Sequence, residues 1–129
     1  MPHPNEELVR RGYDAFVAGD MPTLRELFDA DVTWHPSTQG ALSGDKHGVD
    51  EVLGYFGQTM ELTQGNFQVE VHDVLANDDH VVGLQTARAT RGDKHLVDRG
   101  LLVFHVRGGK VTEVWQYLED QAAVDRFWS

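Results

Sequence analysis

A chain of 129 residues without a cysteine is long enough to bury its own core, and it does so without disulfides, thiolate metal sites or a cysteine nucleophile. Eleven Lys and Arg against twenty-one Asp and Glu give a formal net charge of −10, which argues against the concentrated positive surface that a phosphate-backbone binder needs. The 40% apolar and 25% charged residues suit a globular chain. No apolar run approaches the roughly 20 residues that span a bilayer, and the opening Met-Pro-His-Pro-Asn-Glu-Glu lacks a basic and an apolar region. A single cytosolic domain over residues 1–129 is therefore expected, with no membrane or nucleic-acid partner.

In chain order, Pro4 and Asn5 form a plausible cap before Glu6 and Glu7, and Leu8, Val9, Tyr13, Phe16 and Val17 recur at helical spacing until Gly19. Asp20 caps a second helix, with Pro22 in its first turn and Leu24, Leu27 and Phe28 on one face. Val32 to His35 reads as a short strand stopped by Pro36, followed by a long loop over residues 36–48. Val49, Val52, Leu53, Phe56 and Met60 then mark a third helix.

From Phe67 the apolar period falls from 3.6 to 2. Turns at Asn77-Asp78-Asp79, Arg91 to Lys94 and Arg107 to Lys110 divide the rest into an antiparallel meander of four strands. The third of these is expected to run unbroken from His95 to Val106. A last short helix from near Asp120 carries Val124, Phe127 and Trp128. Gly44-Asp-Lys-His-Gly-Val-Asp50 recurs as Gly92-Asp-Lys-His-Leu-Val-Asp98, one copy leading into a helix and the other into a strand, which marks shared turn composition and not a structural repeat.

Helices, a strand, a loop, a helix and a long meander form an unusual order. The chain resembles the cone-shaped fold shared by nuclear transport factor two, ketosteroid isomerase, limonene epoxide hydrolase and the SnoaL-like polyketide cyclases. The resemblance is carried by Tyr13 to Asp20 leading into Leu27-Phe28, by Val32 to Pro36, by Gly48 before Val52 to Phe56, and by Leu102 to Val111 running into Trp115-Gln116-Tyr117. It implies an α+β cone in which N-terminal helices pack inside a strongly curved, mostly antiparallel sheet around one pocket. It also implies a homodimer formed through the outer sheet face, with Val111, Glu113, Trp115 and Tyr117 on that face.

By alternation, the resemblance places His35, Arg99, Leu101, Val103, His105, Val114, Gln116 and Leu118 inward. With Tyr13, Trp34 and Phe56 these supply the candidate ligand contacts, and His35 is the one candidate catalytic residue. The enzyme patterns of the family are met only in part. Ketosteroid isomerase places its base at His35, yet its two hydrogen-bond donors fall on Gly12, beside Tyr13, and on Leu101. The Asp-Arg-Asp set of limonene epoxide hydrolase finds Arg99 but meets Leu101 and Gln116 where aspartates belong. A cyclase inventory is met by His35 with His105 or Asp98.

Each residue also has a structural reading: a strand-end hydrogen bond for His35, a salt bridge for Arg99, a pocket liner for Gln116. The histidines show no metal-ligand spacing, and no cofactor or metal is expected. The leading expectation is a protein that binds a small hydrophobic molecule in the cone. The alternatives are an acid/base enzyme using His35 and a non-catalytic interaction module. Catalysis requires His35 and a second ionisable group in one cavity. Binding requires an open cavity with a polar anchor, Arg99 or Gln116, and an interaction module requires a filled one.

Overall fold

The computed structural model describes residues 2–129. Helix α1 spans Pro4–Ala18 and is capped not by Asn5 but by His3, whose Nδ1 accepts from the Asn5 backbone N–H at 3.0 Å. Gly19, at φ 70°, ends it and hands the chain to α2, Met21–Leu27. Asp20 caps α2 by accepting the Thr23 N–H at 3.1 Å. Strand β1, Phe28–His35, starts earlier than the apolar pattern suggests, because Phe28 already pairs with Val111 across the sheet.

The loop after Pro36 holds a single 3-10 turn at Gly40–Leu42 and a two-residue strand, β2, at Lys46–His47. Helix α3, Val49–Leu62, follows Gly48. Both copies of the Gly-Asp-Lys-His segment thus enter a strand at their Lys-His pair, and they diverge only afterwards.

The meander contains five strands: β3 Gln68–Ala76, β4 His80–Arg91, β5 Lys94–Asp98, β6 Leu101–Arg107 and β7 Lys110–Tyr117. The expected third strand is broken at Arg99-Gly100. A Cβ on Gly100 would overlap the Tyr117 carbonyl oxygen, so the backbone passes here only because the residue is glycine. The break lets the long β4 pair with β6 through residues 80–84 and with β5 through residues 87–91. Helix α4, Gln121–Trp128, capped by Asp120, closes the order.

The sheet runs β2-β1-β7-β6-β4-β3 and does not close on itself. It is mixed, since β1 joins β7 in parallel while the other pairs are antiparallel. Helix α1 packs on β3 and β4, α3 on β1 and β2, and α2 bridges both helices to β1 and β7. One apolar cluster, from Val9 and Leu24 through Val52 and Val81 to Val114 and Trp128, fills the space between them.

Cross-strand partners share a face, so the pairings decide which residues point inward. Leu102 pairs with Gln116 and Phe104 with Val114, and Leu102, Phe104 and Val114 are buried. Val103 pairs with Trp115 and His105 with Glu113 on the opposite face. The inward set expected on β6 is therefore inverted: Leu101, Val103 and His105 face outward. On β7 the register shifts between His105 and Val106, and this bulge turns both Val111 and Val114 inward three residues apart. Val111, expected outside, is 4% exposed. Simple alternation does not anticipate a bulge, and that is the physical source of the error. Val17, expected on the apolar face of α1, is exposed.

Candidate functional site

The helices and the concave sheet face line an open cavity of about 100 Å³. Helix α1 contributes Val9, Tyr13 and Phe16, and α2 contributes Leu24 and Leu27. Phe28 and Trp34 enter from β1, and Tyr55, Phe56 and Thr59 from one face of α3. Gln85 of β4, Leu102 and Phe104 of β6, and Val111 and Gln116 of β7 form the sheet side. Edge-to-face contacts set the aromatic wall: Trp34 meets Phe56 at 5.1 Å between centroids and Phe16 meets Phe56 at 5.2 Å.

The wall holds few polar groups, and they are paired. The Tyr13 hydroxyl donates to Gln85 Oε1 at 2.9 Å, and the Tyr55 hydroxyl donates to Gln116 Oε1 at 3.2 Å. Thr59 donates to the Tyr55 carbonyl at 2.9 Å within its own helix. Trp34 Nε1 is buried with no hydrogen-bond partner. The indole lies near enough to the Tyr55 hydroxyl to favour its ionised form slightly, yet the two close no hydrogen bond. An unmet buried donor of this kind costs about 1–3 kcal/mol. Burial pushes both phenols well above their ordinary range, so Tyr13 and Tyr55 stay protonated and act only as neutral hydrogen-bonding groups. No carboxylate, imidazole, ammonium or guanidinium lines this cavity among the described residues.

Of the candidate ligand contacts, Tyr13, Trp34, Phe56 and Gln116 lie on the cavity wall. Leu118 packs on the apolar cluster but does not line the cavity. The other four are elsewhere. His35 follows the inward Trp34 and therefore points to the outer face, where it pairs across the strands with Trp115. Its Nε2 lies 2.6 Å from Glu113 Oε2 and its Nδ1 3.1 Å from Asp45 Oδ2, while the ring stacks on Trp115 at 5.2 Å. Burial lowers its pKa, but the hydrogen bonds and charges of Glu113 and Asp45 outweigh this and raise it overall. His105 leans on the other side of Trp115 at 4.5 Å and touches His80. Arg99 is exposed, its guanidinium 3.7 Å from Glu119. Leu101 sits on the outer face opposite Tyr117.

Asp98 is buried away from the cavity and accepts the Glu119 N–H at 3.0 Å. Its pKa is raised by burial first, with the charges of Glu119 and Asp120 adding to it against the lowering effect of that hydrogen bond.

A curved open sheet wrapped on three helices around one apolar cavity is the architecture shared by a known family, and residues 9–114 match the SnoaL-like domain model. The chain belongs to the SnoaL-like domain family. An uncharacterised protein of Mycobacterium tuberculosis is 36% identical over 124 residues, covering 95% of each chain. Among solved structures, Bal32a, from a soil-derived mobile gene cassette, is 38% identical with a TM-score of 0.94, covering 98% of this chain and 97% of its own. A nuclear transport factor two-like protein of unknown function from Burkholderia pseudomallei shares the fold at 22% identity and a TM-score of 0.85, with 99% of each chain covered.

The cavity of this SnoaL-like domain is also lined by residues outside the candidate contacts, and two of them, Tyr55 and Gln85, leave a signal in the sequence. Val52, Tyr55, Phe56 and Thr59 follow i, i+3, i+4, i+7 on α3, and all four are buried. On β4, Val81, Gly83, Gln85, Ala87 and Ala89 occupy every second position and so share one face. Tyr55 and Gln85 are legible from those periods. The burial of Val111 is not, because the bulge that causes it has no signature in the residues themselves.

Proposed function

We propose that this SnoaL-like domain binds a small, neutral, largely apolar molecule in the cavity of the cone and performs no acid/base chemistry on it there. The observation that carries this reading is the composition of the wall. It is apolar and aromatic, its polar groups are two Tyr–Gln pairs, an indole N–H and a threonine hydroxyl, and among the described residues its only ionisable groups are phenols that burial keeps protonated. That is the usual form of a ligand site, with a few polar groups fixing orientation in an apolar pocket. A general base must reach the proton it removes, about 2.6–3.2 Å away or through one water. His35 points away from the cavity and is held by two carboxylates, which disfavours a cyclase- or isomerase-like role for it. The open cavity also disfavours an interaction module whose pocket is filled.

A homodimer joined through the outer sheet face, in a cytosolic setting, completes the reading. It is supported by Trp115 on that face and by Tyr117, which is 53% exposed. Among the described residues no helix is long and apolar enough to cross a membrane.

The test is thermal unfolding with and without a panel of single-ring neutral compounds, run beside Val111→Phe, a substitution that fills the cavity from β7. The expected outcome is a rise in Tm for wild type that Val111→Phe loses. A rise of equal size in both proteins would overturn the assignment of the cavity as the site.

A further inference from the structure

A continuous row of side chains crosses the outer face of the sheet. Leu75 of β3 lies beside Val82 of β4, Val82 beside Val103 of β6, Val103 beside Trp115 of β7, and Trp115 beside His35 of β1. The neighbouring row, Leu84, Leu101 and Tyr117, is also apolar. Leu75 is 56% and Tyr117 53% exposed, so apolar area on this face has no cover within the chain.

On the other side of the first row lies a polar one with unlike ends. His80 of β4 pairs with His105 of β6, their rings 4.5 Å apart, and His105 pairs with Glu113 of β7. At the β1 end Glu113 and Asp45 hold His35 between them. Two carboxylates against one imidazole leave that end net negative whether or not His35 carries its proton. The β4 end turns positive when His80 or His105 takes up a proton. Beside it stand Asp79 of the β3–β4 turn, whose carbonyl accepts the Val106 N–H, and Arg107 at the end of β6, of opposite charge. Asp78 of the same turn is paired with His3. His47 of β2, which pairs with Thr33, lies beyond the acids at the far edge.

A face that meets its own copy does so about a two-fold axis lying in the interface. An axis across the strands sets each residue against its own copy, acid on acid, or lays the polar row on the apolar row of Leu84, Leu101 and Tyr117. Both are costly, since like charges repel and buried charges need partners. An axis along the strands, between β6 and β7 at the centre of the order β2-β1-β7-β6-β4-β3, reverses each row onto itself. Apolar then meets apolar, His105 meets Glu113, His80 meets the end held by Asp45, and His47 meets the turn of Asp78 and Asp79.

Resting on the homodimer reading above, we propose that two copies join outer face to outer face in this reversed alignment, and that the dimer tightens as pH falls through the histidine range. The partner's Glu113 and the partner's Asp45 favour the protonated imidazoles of His80 and His105. The dimer therefore binds these protons more tightly than the monomer does, and Kd drops as they are taken up. Relief of the net charge of −10 acts in the same direction, but it does not require these two histidines in particular.

Sedimentation of the full chain at pH 6 and pH 8, on either side of the ordinary histidine value, gives Kd at each. The expected Kd is about tenfold or more lower at pH 6. In His80→Gln/His105→Gln the dimer persists and the ratio falls to about threefold or less. Orientation is read separately, on proteins that keep both histidines. The chain has no cysteine, so Thr33→Cys and Asp79→Cys each carry a single thiol. A short bis-maleimide is expected to join these two variants to one another in a mixture, and neither to itself. If the double variant does not fold, the wild-type ratio and the cross-link still decide. Equal Kd at the two pH values, a ratio unchanged in the double variant, or Thr33→Cys joined to itself would overturn the pairing and leave the homodimer standing. A wild-type monomer at both pH values would overturn both.

Discussion

The imidazole of His35 is held from both sides, by Glu113 at 2.6 Å and Asp45 at 3.1 Å, against the plane of Trp115. Its raised pKa means that the folded chain holds the ring proton more tightly than the unfolded chain does. The stability it contributes is fully present below the ordinary histidine value near 6.5 and is lost as pH rises through the raised, folded value. NMR titration of the His35 ring is expected to give a midpoint above the ordinary value in wild type and a lower one in Glu113→Gln. An unchanged midpoint would remove Glu113 as the cause.

Asp98 follows the same sign for a different reason, since burial disfavours its charge. Its contribution is present below the ordinary carboxylate value and is lost as pH rises through its raised value, after which a charged group sits buried. Asp98→Asn keeps an acceptor for the Glu119 N–H, so its Tm at neutral pH is expected to exceed that of wild type, with a flatter pH profile above pH 4. A lower Tm at neutral pH would count against this account.

At the scale of elements, β1 and β7 matter most, because their parallel pairing sets which residues reach the cavity. Val114 on β7 is fully buried, while Val97 on β5 is 56% exposed. Val114→Ala is expected to cost about 2 kcal/mol in urea unfolding, from lost burial plus the cavity left behind. Val97→Ala is expected to stay within about 0.5 kcal/mol. Gly83 on β4 faces α1 so closely that a Cβ there would overlap the Tyr13 hydroxyl. Gly83→Ala should therefore displace Tyr13, break its bond to Gln85 and weaken ligand binding along with stability.

The elements themselves were largely legible: the periods, caps and turn residues placed all four helices and most of the sheet. What the sequence concealed came from pairing between distant segments. Arg99-Gly100 breaks a strand only because the Tyr117 backbone lies against it, and Val111 turns inward only because of a bulge opposite His105. His35 illustrates the cost. Alternation along the strand predicts an inward His35, and a single step in register puts it on the other face of the sheet beside Trp115.

The whole molecule presents two surfaces of different character. The concave side is an apolar cavity without charge, and the outer side carries His35, Glu113, Trp115, His105 and His80 in a row across β1, β7, β6 and β4. If that outer face joins two copies, light scattering after size exclusion should report twice the chain mass for wild type and the chain mass for Trp115→Glu. A wild-type monomer at high concentration would contradict the dimer. The cavity does not depend on that result, since its wall is complete within one chain.

The most direct measurement of the central claim is a crystal structure of the protein soaked with a neutral single-ring compound that raises its Tm. The account predicts one ring inside the cone, packed between Trp34, Phe56 and Leu102. An empty cavity with the ligand seated instead on the outer face beside His35 and Trp115 would contradict it.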